Sequence, residues 1–100
     1  MANRWGISKE VEDFVIKRDK SCVYCGIAFS RENNSRKNQA SWEHIINDIR
    51  INGADNIALS CISCNSSKGT KRLEDWLTSN YCMERGITVN SVADIVKKCL

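Results

Sequence analysis

An α+β fold, with a short two-stranded hairpin packed against helices, follows from three features of this sequence. Residues 8–18, SKEVEDFVIKR, place Ile7, Val11, Phe14 and Val15 on one side of a helix. Residues 40–46 and 57–61 read as short strands, joined by NDIRINGADN with its Gly53 and Asp55-Asn56 turn signal. From Cys64 onward the spacing turns helical again. The 100 residues make one domain, 1–100, near the lower end of what buries a sufficient core unaided.

In order along the chain, Ser8 is the expected N-cap of the first helix, whose acids come early and bases late, as the helix dipole favours. CVYCG then reads as a turn carrying two thiols, and residues 30–39 as a polar loop. A helix is expected from about Cys64 to Ser79, weakened at Gly69. Leu73, Trp76 and Leu77 lie on its apolar side, and Lys68, Lys71 and Arg72 project from the other if it is continuous. A last helix over about 91–99 has a Ser91/Asp94 capping box and an apolar stripe of Val92, Ile95, Val96 and Cys99. That stripe reads as core, with a dimer face as its other use. Trp42 and Trp76 are expected in the core.

Composition excludes several classes. Apolar residues make up 42%, which is ordinary for a globular chain and argues against disorder. No apolar run approaches the ~20 residues that span a bilayer, and nothing resembles a secretory leader. A soluble, cytoplasmic, intracellular chain with no membrane partner is expected. In that setting six cysteines argue for metal before disulfides. Four of them form two CxxC pairs, Cys22–Cys25 and Cys61–Cys64. Each pair chelates, and two pairs close a tetrahedron around one Zn²⁺ with no open coordination position. The zinc is therefore structural, and folding should depend on it. Four thiolates on Zn²⁺ carry −2, so the formal charge of +3 falls to about +1 on loading. Bulk charge is thus a weak argument for a polyanionic partner. Iron is the rival occupant of such a site. Cys82 and Cys99 stand apart and read as small buried hydrophobes. A single histidine, His44, rules out both a two-Cys, two-His finger and an HExxH protease.

His44 follows Glu43 in the first strand, Asn56 precedes the second, and Cys64 leads directly into Asn65-Ser-Ser-Lys68-Gly69. Read together, EHIINDIRINGADNIALSCISCNSSKG resembles the HNH endonuclease family in its zinc-containing, four-cysteine form. The resemblance covers about residues 20–78, with its specific part in 43–69. It implies a ββα-metal (His-Me finger) core, about 40–78, with a structural four-cysteine zinc site and flanking N- and C-terminal helices. It also implies hydrolysis of DNA phosphodiester bonds. His44 would be the general base, imidazole being the side chain that titrates near neutral pH. Glu43 and Asn65 would hold one divalent cation, Mg²⁺ or Mn²⁺ or another, that neutralises the phosphate and leaving oxygen. Asn56 would bond across the loop and hold the histidine's strand.

The chain departs from the family's pattern in two residues: Asn65 stands where histidine is frequent, and Glu43 where aspartate is common. Adjacent strand residues also face opposite sides, so Glu43 and His44 share a site only at a strand edge or bend. Lys68, Lys71 and Arg72 are expected to contact DNA phosphates, which position a duplex without reading bases. Arg31, Arg36 and Lys37 are weaker candidates, and Lys71 has an alternative partner in Asp75. The resemblance further implies approach from the minor groove and ends bearing 5′-phosphate and 3′-hydroxyl. One such site nicks one strand, and a homodimer would cut both. It also admits a place in a larger nuclease or a phage- or restriction-type assembly. The rival readings are a zinc-stabilised DNA-binding module without chemistry, a four-cysteine iron electron carrier, and a zinc domain for protein interaction.

Overall fold

The structure, a computed structural model, describes residues 5–29 and 38–100. Arg31, Arg36 and Lys37 lie outside the described residues. Helix α1 spans Lys9–Arg18, and Ser8 caps it by accepting the Val11 N–H at 3.2 Å. Of its expected apolar side chains, Ile7 and Val15 are buried and Phe14 is not. Phe14 is 55% exposed, with the Arg18 guanidinium 5.7 Å from its ring. The face that packs on Trp42, Ile57 and Leu59 is carried by Ile7 and Val15 with Val11 beside them, and the expectation for Phe14 fails.

Strands β1, Ala40–His44, and β2, Ile57–Cys61, pair antiparallel, with Trp42 opposite Leu59, Glu43 opposite Ala58 and His44 opposite Ile57. Because side chains alternate across a strand, this register sends Trp42, Ile57 and Leu59 to one face. There they form a core with Ile7 and Val15. Ile45 and Ala58 belong to the larger core on the other face, with Tyr24, Leu73, Trp76, Cys82 and Val96.

The outer edge of β2 is covered. Asp19 Oδ2 accepts the Leu59 N–H at 3.0 Å, Val23 N–H donates to the Leu59 carbonyl, and Arg18 bonds the carbonyls of Ala54 and Ile57. An open edge would otherwise offer itself to other chains. Val23 also accepts from Ala93 N–H, which ties the two-thiol turn to the C-terminal segment. That turn is closed by Cys22 N–H to Ile27 and by Gly26, whose φ of 78° suits the absence of a Cβ.

β2 runs straight into helix α2, Ile62–Lys68. Cys61 is the last strand residue and the cap, its Sγ accepting the Cys64 N–H. The helix expected over 64–79 is not continuous. Gly69, at φ 51°, ends α2, and Leu73–Trp76 forms a separate α3, joined back by Trp76 Nε1 donating to Ser67 Oγ at 3.0 Å. Helix α4, Asn80–Glu84, capped by Ser79, was not anticipated. The last helix, α5, is only Asp94–Lys97, and the expected Ser91/Asp94 box is absent. Ser91 instead turns back to Thr88, each side-chain oxygen accepting the other's N–H, and Ala93 is the cap. Val92 and Val96 are buried, so the C-terminal stripe serves as core. Both Trp42 and Trp76 are core residues, as expected. No helix among the described residues is long and apolar enough to cross a membrane.

Candidate functional site

The two-thiol turn and the β2–α2 junction bring Cys22, Cys25, Cys61 and Cys64 together, with all four sulfurs within 4.8 Å of one another. Cys25 and Cys61 stand 3.9 Å apart. Tetrahedral zinc thiolates with bonds of ~2.3 Å have sulfurs separated by ~3.8 Å, so the quartet has the size of a zinc site. Crowding also drives the thiols apart chemically. Hydrogen bonds from Cys22, Cys61 and Cys64 hold Cys25 far below the ordinary thiol value, while Cys22 and Cys25 hold Cys64 far above it. Four sulfurs this close become thiolates together only around a cation. Tyr81 supports the cluster, its hydroxyl donating to Cys64 Sγ at 3.3 Å while Arg85 stacks over its ring at 3.7 Å. Cys82 is buried, as expected, but Cys99 is half-buried, its Sγ 3.6 Å from the Asp55 and Ile95 carbonyls.

The remaining predicted site residues all lie on or beside the hairpin. Asn56, 2% exposed, bridges the connecting loop. Its Oδ1 accepts the Ile46 N–H at 2.7 Å, and its Nδ2 donates to the carbonyls of Ile46 and Ile51. It therefore holds the chain just beyond His44.

Glu43 and His44 point to opposite faces. His44 lies under the edge of Trp5, ring centroids 5.3 Å apart, with Nε2 2.8 Å from Asn52 Oδ1. The orientation of Asn52 is fixed independently, because its Nδ2 donates to the Trp5 carbonyl at 3.3 Å. A carbonyl only accepts, so Oδ1 must be the atom turned to His44. The neutral tautomer that this contact selects has its hydrogen on Nε2 and its lone pair on Nδ1.

Glu43 faces α2. Its Oε2 accepts from Tyr24 Oη at 2.5 Å and lies 3.3 Å from Lys68 Nζ, which also donates to the His44 carbonyl at 3.2 Å. Burial pushes the Glu43 carboxyl up, and the Lys68 charge and the Tyr24 bond oppose that shift. Asn65, one turn before Lys68 on α2, uses Nδ2 for both its bonds, to Ser41 Oγ at 3.0 Å and the Trp42 carbonyl at 2.8 Å. That leaves Oδ1 as its free ligand atom. Carboxylate and amide oxygens are hard donors that suit Mg²⁺ or Mn²⁺, and the pocket around Glu43 already holds a positive charge.

The expectation for Lys68 needs correction. It does not project outward with Lys71 and Arg72, since its side chain is 1% exposed and paired with Glu43. With the helix ended at Gly69, the exposed pair is Lys71 and Arg72. Lys71 donates to the Ser67 carbonyl, and Arg72, not Lys71, pairs with Asp75 at 3.1 Å. Sequence reasoning missed Asn52, Trp5 and Tyr24. Tyr24 alone carried a visible signal, as the phenol placed between two metal-ligand thiols.

No curated protein and no solved structure matches this chain significantly. The family model for HNH endonuclease matches residues 22–71, from the first cysteine of the quartet to beyond Gly69. This span is half of the chain and includes the whole hairpin, α2 and all four thiols. The chain belongs to the HNH endonuclease family.

Proposed function

We propose that the protein is a metal-dependent DNA endonuclease in which His44 Nδ1 takes the proton from the attacking water. The observation that carries this reading is the Trp5–Asn52–His44 relay of hydrogen bonds, which commits Nε2 as donor and leaves Nδ1 as base. A single amide, itself held by the Trp5 carbonyl, sets the tautomer that this role requires. Asn56 keeps the following loop from moving His44, the last residue of β1. Asn65 and Glu43, on the other face of that strand end, are the proposed ligands of one divalent cation, so that base and cation would meet the phosphate across the end of the strand. Such a cation, when bound, neutralises charge on the scissile phosphate and leaving oxygen. Zn²⁺ is proposed for the cysteine quartet, as scaffold only. Lys71 and Arg72 are proposed to hold the DNA backbone. One site per chain means nicking by a monomer and double-strand cleavage by a dimer.

One observation favours a second reading. Lys68 already neutralises Glu43, as expected of a zinc-stabilised DNA-binding module that does no chemistry. Supercoiled plasmid separates the two. The nuclease reading expects conversion to open circles with Mg²⁺ or Mn²⁺ and none with excess EDTA. Salt-sensitive DNA binding without conversion under any divalent cation would favour the module.

A further inference from the structure

We infer that the Lys68 ammonium is the resident cation of the Glu43 carboxylate and must withdraw before a divalent cation is held there, so that Lys68 sets the cation level at which the site loads. This inference rests on the proposed role of Glu43 as a cation ligand.

Three observations lead to it. Lys68 Nζ is placed on both members of the acid–histidine pair, 3.3 Å from Glu43 Oε2 and 3.2 Å from the His44 carbonyl. Those two partners use two of an ammonium's three donors. Both side chains are buried, Lys68 at 1% and Glu43 at 6% exposure, so the attraction is poorly screened by water. A second cation on the same carboxylate would meet equally unscreened repulsion.

The third observation is the position of Lys68 in the fold. It is the last residue of α2, directly before Gly69 at φ 51°, and Gly69, Thr70 and Lys71 are all exposed. A four-carbon stem at a helix end beside an exposed glycine turn can leave the carboxylate without unfolding the helix. Tyr24 behaves differently. It sits between Cys22 and Cys25 with its ring against Trp76, and its bond to Glu43 stays when Lys68 leaves. Glu43 is thus held by one fixed donor and one exchangeable cation.

The test uses the zinc-loaded full chain and Mn²⁺ as probe, with free Mn²⁺ read by electron paramagnetic resonance. Lys68→Met removes the competing charge and should bind Mn²⁺ roughly tenfold or more tightly than wild type, within the usual range for coupled equilibria. Lys68→Arg should bind no more tightly than wild type, and Glu43→Gln combined with Lys68→Met should lose the tight site. A second readout needs no variant. In the wild type, saturating Mn²⁺ should raise acetylation of Lys68 relative to Lys71, measured by mass spectrometry, by about tenfold.

Equal Mn²⁺ affinity in wild type and Lys68→Met, with binding still lost in Glu43→Gln, overturns the exchange and leaves the cation site standing. Lys68 remaining protected while Mn²⁺ is bound overturns it equally, and decides the matter should Lys68→Met not fold. No Mn²⁺ binding in any of these proteins overturns the cation site itself and this inference with it.

Discussion

Asn52 Oδ1 lies 2.8 Å from His44 Nε2, while the other end of the same amide donates to the Trp5 carbonyl. This pair decides which nitrogen of the ring can act, because a carbonyl on one side and an N–H on the other leave the amide one orientation. In the proposed mechanism Asn52 would do for His44 what a buried carboxylate does for a catalytic imidazole, without adding charge. Asn52→Ala should lower the single-turnover cleavage rate by roughly ten- to a hundredfold, the scale on which losing the group that orients a functional imidazole is felt. Zinc content and denaturation midpoint should stay close to wild type. An unchanged rate would show that the ring finds its tautomer without Asn52.

Asn56 makes a larger structural contribution. Asn56→Ala removes three bonds from a buried side chain to the backbone of Ile46 and Ile51 in a largely exposed loop. At ~1 kcal/mol for each of the three bonds, destabilisation of about 3 kcal/mol is expected in urea unfolding. Cleavage should fall with it, since the loop begins directly after His44.

Zinc removal should separate the six cysteines into classes. With zinc bound, Cys99 is expected to alkylate first, because it is only half-buried and ligates nothing. Cys82 should resist, since it is fully buried and burial pushes its thiol up, away from the reactive thiolate. A strong chelator should expose all six together with loss of the helical circular-dichroism signal, because a site worth ~10–16 kcal/mol exceeds the stability of a core this small. Mass spectrometry of iodoacetamide-labelled protein reads both states.

DNA affinity should carry the signature of Lys71 and Arg72. Replacing both by alanine should weaken binding alike on unrelated sequences and flatten the slope of log K against log salt by about 2, one unit for each phosphate that is no longer neutralised. Arg72 must leave Glu74 and Asp75 to reach a phosphate, but these are exposed pairs that water and salt screen, so they give way readily. Fluorescence anisotropy across a salt series measures the slope.

The parts of this molecule that were legible in the sequence are those fixed by local chemistry. Two CxxC pairs state a tetrahedral site through spacing alone. Two short strand-like runs on either side of Gly53 and the Asp55-Asn56 turn signal mark β1 and β2, and Ser8 followed by a helical stripe marks α1. The acid–histidine pair, Asn56 and Asn65 were visible because their order along the chain is itself the pattern. What stayed hidden depends on tertiary placement. Gly69 is a visible weak point, but only packing decides whether a glycine bends a helix or ends it, and here the end of α2 separates the buried Lys68 from the exposed Lys71 and Arg72. Asn52 looks like any loop asparagine until Trp5, 47 residues away, supplies its second partner. Helix α4 is too short to show a period, and Ser91 had two ways to cap and took Thr88.

Single-turnover cleavage of a saturating duplex by zinc-loaded wild type and His44→Ala asks whether His44 is the base. With folding and zinc content matched, His44→Ala should cleave more slowly by about 10²–10⁴, as for loss of a general base, with DNA affinity unchanged. Equal rates in the two proteins, both abolished by EDTA, would contradict it and place the base elsewhere.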